Sequence, residues 1–126
     1  MTKMNMVWIA VASLLHPKIE SNLFVRKPEI ESKVRELFNV TITPVMIDKH
    51  LVNSEDRQAD PNNPSRGGSR NRYLVRGAYD NFRLYKQSDS ESDAWDKTGP
   101  TCPDSKSIDP EYEYLVTWYE RMYVNS

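Results

Sequence analysis

The chain is poor in the residues from which built-in chemistry is usually made. Among 126 residues it has one cysteine, Cys102, and two histidines, His16 and His50. A single thiol excludes an internal disulfide, leaves no cysteine-based zinc set, and fits a reducing compartment. Two histidines far apart, with one distant cysteine, do not make a metal set. Nor do they make a nucleophile–base pair, because nothing in the pattern fixes Cys102 beside either ring. The chain also lacks any apolar run near the roughly 18–20 residues that a membrane span needs. Its apolar N-terminal stretch, Met4 to Leu15, is followed by Lys18 and Glu20 rather than a small-residue cleavage site. It therefore reads as a helix of the mature protein rather than a signal sequence. The expectation from these absences is a non-enzymatic, cofactor-free domain, cytoplasmic or nucleoid-associated. No internal repeat is visible.

Net charge is nearly absent too, at −1, but the charges are unevenly distributed. Residues 1–56 balance seven basic against seven acidic side chains. Residues 57–86 hold Arg57, Arg66, Arg70, Arg72, Arg76, Arg83 and Lys86 against only Asp60 and Asp80. Residues 87–126 hold three basic and nine acidic. A positive middle followed by a negative tail is a strongly polar molecule whose two halves cancel in the total.

Periodicity predicts helices at about Lys3–Leu15 (Met4, Val7, Trp8, Val11, Leu14 and Leu15 on one stripe) and from Pro28 to a stop at Asn39 (Ile30, Val34, Leu37 and Phe38). In the first, the residue before Pro17 is pushed out of the helical region. In the second, proline suits a first helical turn and Glu29 and Glu31 suit its positive end. A third helix begins at Thr43-Pro44 and runs toward Val52, with Ile42, Ile47 and Leu51 inward and Val45, Asp48, Lys49 and Val52 on the other side. Residues 53–71 are a loop of Asn, Asp, Pro, Ser, Gly and Arg. Two alternating runs, Arg72–Arg76 and Phe82–Lys86, then frame a five-residue hairpin loop. Residues 88–108 read as an acidic Ser/Pro-rich linker. A last helix opens on Asp109-Pro110-Glu111, with its stripe on Tyr112, Leu115, Val116, Tyr119, Met122 and Tyr123. The organisation expected is an α+β domain over 1–87, the linker, and an aromatic helix over 109–126.

Three helices, the last two closely spaced, followed by a hairpin, resemble the winged helix-turn-helix family. The resemblance covers roughly residues 3–86. It is carried by Phe24-x-Arg26-x-x-Glu29-Ile30, by Thr43 through Leu51, and by Arg72-Tyr73-Leu74-Val75 with Phe82-Arg83-Leu84-Tyr85. The Phe-Arg-Leu-Tyr run closing the hairpin is also similar to winged-helix segments attached to prokaryotic restriction and defence proteins. The resemblance implies double-stranded DNA as partner, with the third helix in the major groove and the hairpin against the backbone or minor groove. The residues it nominates are Thr43, Val45, Lys49 and Asn53 on or just beyond the third helix, and Arg57, Arg66, Arg70, Arg72 and Arg76 on the loop and wing. Two departures weigh against base-specific reading: segment 53–71 is longer than the family's usual connection, and the third helix is poor in Arg, Asn and Gln. Phosphate contact by arginine carries no sequence information and fits better. A transcriptional regulator or an accessory DNA-binding subunit would match.

Two further readings come from the residues themselves. Glu29-Ile30-Glu31-Ser32-Lys33 contains an acid-x-Lys element, but Glu31 and Lys33 diverge on a helix, so it does not assemble a nuclease site. The last helix is rich in aromatics. Tyr112, Leu115, Trp118, Tyr119 and Met122 offer a homodimer interface of the composition interfaces favour, with folding back onto the first helix as the alternative. The rival function is accordingly a winged-helix protein-interaction module that works through the acidic tail and this helix.

Overall fold

The computed structural model describes residues 1–16, 24–48, 73–77, 81–86 and 101–124. These residues form an α+β fold of four helices and a small three-stranded antiparallel sheet. Helix α1 (Lys3–Leu15) starts where Thr2 Oγ1 accepts the Asn5 N–H at 3.2 Å, satisfying one of the donors a helix N-terminus leaves open. Its boundaries are those its periodicity predicts, but its environment is not. Val7, Trp8, Ile9, Ala10, Val11 and Ala12 are all fully buried. A helix buried all round is a central element rather than an amphipathic cover, and α1 is the axis on which the other elements pack.

Strand β1 (Val25–Arg26) leads directly into α2 (Lys27–Phe38). The Glu29 carboxylate accepts the Arg26 backbone N–H at 3.1 Å, which closes the first turn. Ile30 and Val34 are buried, and Leu37 and Phe38 pack half-buried against the same core. The helix stops at Asn39, which is left-handed at φ 55°, ψ 38° and returns its N–H to the Arg35 carbonyl. Asparagine is one of the few residues other than glycine that adopts this conformation cheaply. Helix α3 (Pro44–Asp48) follows after a short connection, and the continuation expected toward Val52 lies outside the described residues.

The predicted hairpin forms from β2 (Leu74–Arg76) and β3 (Asn81–Leu84), with Leu74 opposite Leu84, Val75 opposite Arg83 and Arg76 opposite Phe82. The unexpected strand is β1, which pairs with the other edge of β3, Val25 opposite Phe82 and Arg26 opposite Asn81. The sheet order is therefore β1-β3-β2. Paired residues share a face and the next pair takes the other. Val25, Phe82, Leu74 and Leu84 enter the main core, whereas Val75 and Tyr85 form a small buried cluster of their own.

In the C-terminal part, the described end of the expected linker and the aromatic helix both pack on the core formed with α1. Residues 101–108 are not a loose tether: Cys102 and Ile108 are buried in the same core as α1, around a short 3₁₀ turn at Ser105–Ser107. That turn is fastened to α1, with Asn5 Nδ2 donating to the Ser107 carbonyl and hydroxyl at 3.4 and 3.3 Å. The expected helix start at Asp109-Pro110 is instead a second 3₁₀ turn (Pro110–Tyr112), and Asp109 makes no side-chain cap. The α-helix proper, α4, is Glu113–Tyr119, continued by a π-helical turn at Glu120–Val124. Leu115 and Tyr119 are fully buried and Trp118 nearly so, while Tyr112 and Met122 pack half-buried against the core. Of the five residues nominated for a dimer interface, Leu115, Trp118 and Tyr119 are buried in the core shared with α1, while Tyr112, beside Phe38, and Met122 are half-buried. Folding back is the arrangement adopted.

Candidate nucleic-acid interface

Three of the nominated DNA-contact residues are described. Thr43, just before α3, is exposed, and Val45 on α3 is 60% exposed although apolar, while Ile42 and Ile47 anchor the segment in the core. Arg76 is exposed at the hairpin end of β2. Lys49, Asn53, Arg57, Arg66, Arg70 and Arg72 lie outside the described residues, as does His50.

What holds α3 against the sheet is Lys27, at the first position of α2. Its Nζ sits 3.0 Å from Asp48 Oδ1 and 5.7 Å above the Phe82 ring. One ammonium thus links α2, α3 and β3 and neutralises the only carboxylate on α3. The second described ion pair, Lys33 with Glu36 at 2.6 Å, is a local pair within α2. An open groove of about 600 Å³ runs past Leu14, Pro28, Glu29, Ser32, Lys33 and Glu36. Its charged side chains have local partners: Glu29 closes the helix start and Lys33 pairs with Glu36. The acid-x-Lys element is spread along this helix and does not converge on a point. Among the described residues, no group of three His, Cys, Asp or Glu side chains is placed to hold a metal ion, and no helix is long and apolar enough to cross a membrane.

The sequence reading missed a set of residues on the sheet. Phe24 precedes β1, and its ring reaches across to β2, where a Cβ at Gly77 would come within 2.6 Å of Phe24 Cε1. Gly77 leaves the room that the ring fills. Arg83, counted from sequence in the basic surplus of residues 57–86, stands over the same ring at 6.0 Å and donates from Nη1 to the Leu84 carbonyl at 3.1 Å. Its charge also reaches Tyr123, whose phenol is pushed up to about 12 by burial against the opposing pull of the guanidinium. Arg26 pairs with Asn81, the residue two before Arg83, so Arg26, Asn81 and Arg83 share one face of the sheet. The signal that could have found this set was Phe24-x-Arg26 beside a Gly77 whose partner strand carries Arg83. It became readable only once β1 was known to pair with β3.

The aromatic groups of the C-terminal segment are occupied internally. Trp8 meets Tyr119 edge-on at 5.8 Å, and Tyr119 stacks on Tyr123 at 5.3 Å. The Tyr119 hydroxyl donates to the Tyr85 carbonyl at 2.6 Å. His16 is held edge-on by Tyr114 and Trp118, each at 5.3 Å. Cys102 is no tail residue: burial, then Glu120, then Asp104, push its thiol up to about 12, so it stays protonated and a poor nucleophile near neutral pH. Compared with known proteins, the chain matches no family model, no curated sequence and no solved structure.

Proposed function

We propose that this protein is a winged-helix DNA-binding module that holds double-stranded DNA through its phosphate backbone, with α3 presented to the major groove. The observation that carries the reading is the placement of α3. It follows α2 after five residues, is pinned from beneath by Ile42, Ile47 and the Lys27–Asp48 pair, and turns Thr43 and Val45 outward. A helix fixed on one side and exposed on the other is what groove insertion requires. The hairpin with exposed Arg76 and the five-charge basic surplus of residues 57–86 supply the electrostatic part. A regulator or an accessory DNA-binding subunit fits a chain of this size.

The test is fluorescence anisotropy of a labelled random-sequence duplex of about 30 base pairs at two salt concentrations, with Arg66, Arg70 and Arg72 changed together to alanine as comparison. The expected result is micromolar binding that weakens with salt and falls away in the triple variant. Equal binding by the triple variant would remove the loop arginines from the account.

A further inference from the structure

We infer that Val45, standing outward on α3, reads the C5-methyl group of thymine in the major groove, so that the protein prefers duplex rich in A·T pairs without a hydrogen bond from α3 to any base. The inference rests on the DNA-binding reading above and adds to it the chemistry by which α3 tells one base pair from another.

This part of the surface is notable first for what it lacks. Residues 39–47 hold no charged side chain, in a chain of which 28% is charged. Asn39, Thr41, Thr43, Pro44 and Val45 are nevertheless exposed. Asp48, at the end of α3, is half-buried and held by Lys27 at 3.0 Å. Without a cation, α3 takes no phosphate. It also holds no Arg, Lys, Asn or Gln, the side chains that pair with guanine or adenine through two hydrogen bonds. What it presents outward is methyl groups, and the apolar group on a base edge in the major groove is the thymine methyl.

Val45 is suited to that contact. It is 60% exposed, more than any other large apolar side chain among the described residues, while Ile42 and Ile47 on either side of it are buried. Core packing therefore does not account for it. A β-branched side chain in a helix keeps essentially one χ1 rotamer, so its two methyls stand in fixed positions and lose little freedom on contact. The backbone beneath is fixed as well, by Ile47 in the core and by the Lys27–Asp48 pair that ties α3 to α2.

Size separates a base contact from a protein contact. A protein interface needs roughly 800 Å² on each partner, around a centre of aromatic, methionine or arginine side chains. The exposed residues beside Val45 in the chain are Thr41, Thr43 and Pro44. One methyl-bearing side chain is enough to cover one thymine methyl.

The test removes the methyl from either side. The full chain, Val45→Ala and Val45→Ile are titrated by anisotropy across a salt series against an alternating A–T duplex of about 30 base pairs, and against the same duplex with deoxyuridine for thymidine. Thermal unfolding checks that each variant is folded, and Val45→Thr replaces Val45→Ala if that variant is not. Burial of one methyl corresponds to about fourfold in affinity, so the parent should bind the uracil duplex about fourfold more weakly. Val45→Ala should bind both duplexes about as the parent binds uracil, with the salt slope unchanged because no phosphate contact is lost. Val45→Ile, which keeps the branched methyls, should keep the preference. A parent that binds both duplexes alike overturns the inference and leaves the DNA-binding reading standing. So does a thymine preference that Val45→Ala retains in full. A folded parent that binds neither duplex overturns the reading beneath it.

Discussion

Tyr119 ties α1, the C-terminal segment and the residue after β3 together. Its ring packs on Trp8 and Tyr123, and its hydroxyl ends on the carbonyl of Tyr85, just beyond β3. Tyr119→Phe keeps the packing and leaves a buried carbonyl short of a donor. It should cost about 1–3 kcal/mol, read as a lower urea midpoint with an unchanged m-value. Trp8 makes the converse case, because its Nε1 is buried with no acceptor among the described residues. Trp8→Phe loses ring volume but also removes that unmatched donor, so it should cost clearly less than the about 3–5 kcal/mol expected of Trp8→Ala. Equal losses for the two would mean that the indole N–H is satisfied. Two groups with large upward shifts bear on the alkaline behaviour. The thiol of Cys102, ordinarily at 9.0, and the phenol of Tyr123, ordinarily at 10.0, are both raised to about 12. The neutral form is the one that fits the folded chain, while the unfolded chain gives up these protons earlier. Stability is then intact below about pH 9 and declines as pH rises from there toward 12. Urea midpoints measured across that range should fall, and a profile flat to pH 11 would contradict the burial of both groups.

At the scale of elements, the helix stop at Asn39 and the docking of the C-terminal segment make separate predictions. Asn39→Gly should be neutral within a few tenths of a kcal/mol, whereas Asn39→Val should cost about 1–2 kcal/mol, because a β-branched residue resists φ 55°. Removing residues 101–126 should unfold the chain rather than release a smaller domain, since Leu115, Tyr119 and Tyr123 leave the core that α1 shares. Circular dichroism of the truncated chain would settle this, and cooperative unfolding of the fragment would contradict it. The same elements explain what was legible. α1, α2 and the hairpin could be read because a 3.6-residue or two-residue period repeats often enough to be seen in each. β1 could not, because two residues carry no period and Val25 finds its partner Phe82 only in the folded chain. Cys102 and Ile108 are single anchors in a Ser/Pro-rich stretch, so the packing of residues 101–108 left no pattern either. The outward set on α3 was visible in the spacing, whereas Phe24, Arg26 and Arg83 depend on the pairing of β1 with β3.

For the whole molecule, the near-zero net charge conceals a division of labour. Residues 57–86 carry a basic surplus of five, while residues 104–120 hold Asp104, Asp109, Glu111, Glu113 and Glu120. Leu115, Trp118 and Tyr119 of α4 are buried in the core, so among the described aromatic residues of the rival protein-interaction surface Tyr114 is the most exposed ring, at 52%. The outward side of the third helix, with Val45 60% exposed, and the basic middle of the chain are what the proposed function depends on. The most direct measurement is the affinity of the intact, folded chain for a random duplex as a function of salt. The account predicts a linear fall of log K with log salt, steep enough to correspond to several phosphate contacts at about 0.9 each. No binding at low salt, or binding indifferent to salt, by a chain shown to be folded would contradict it.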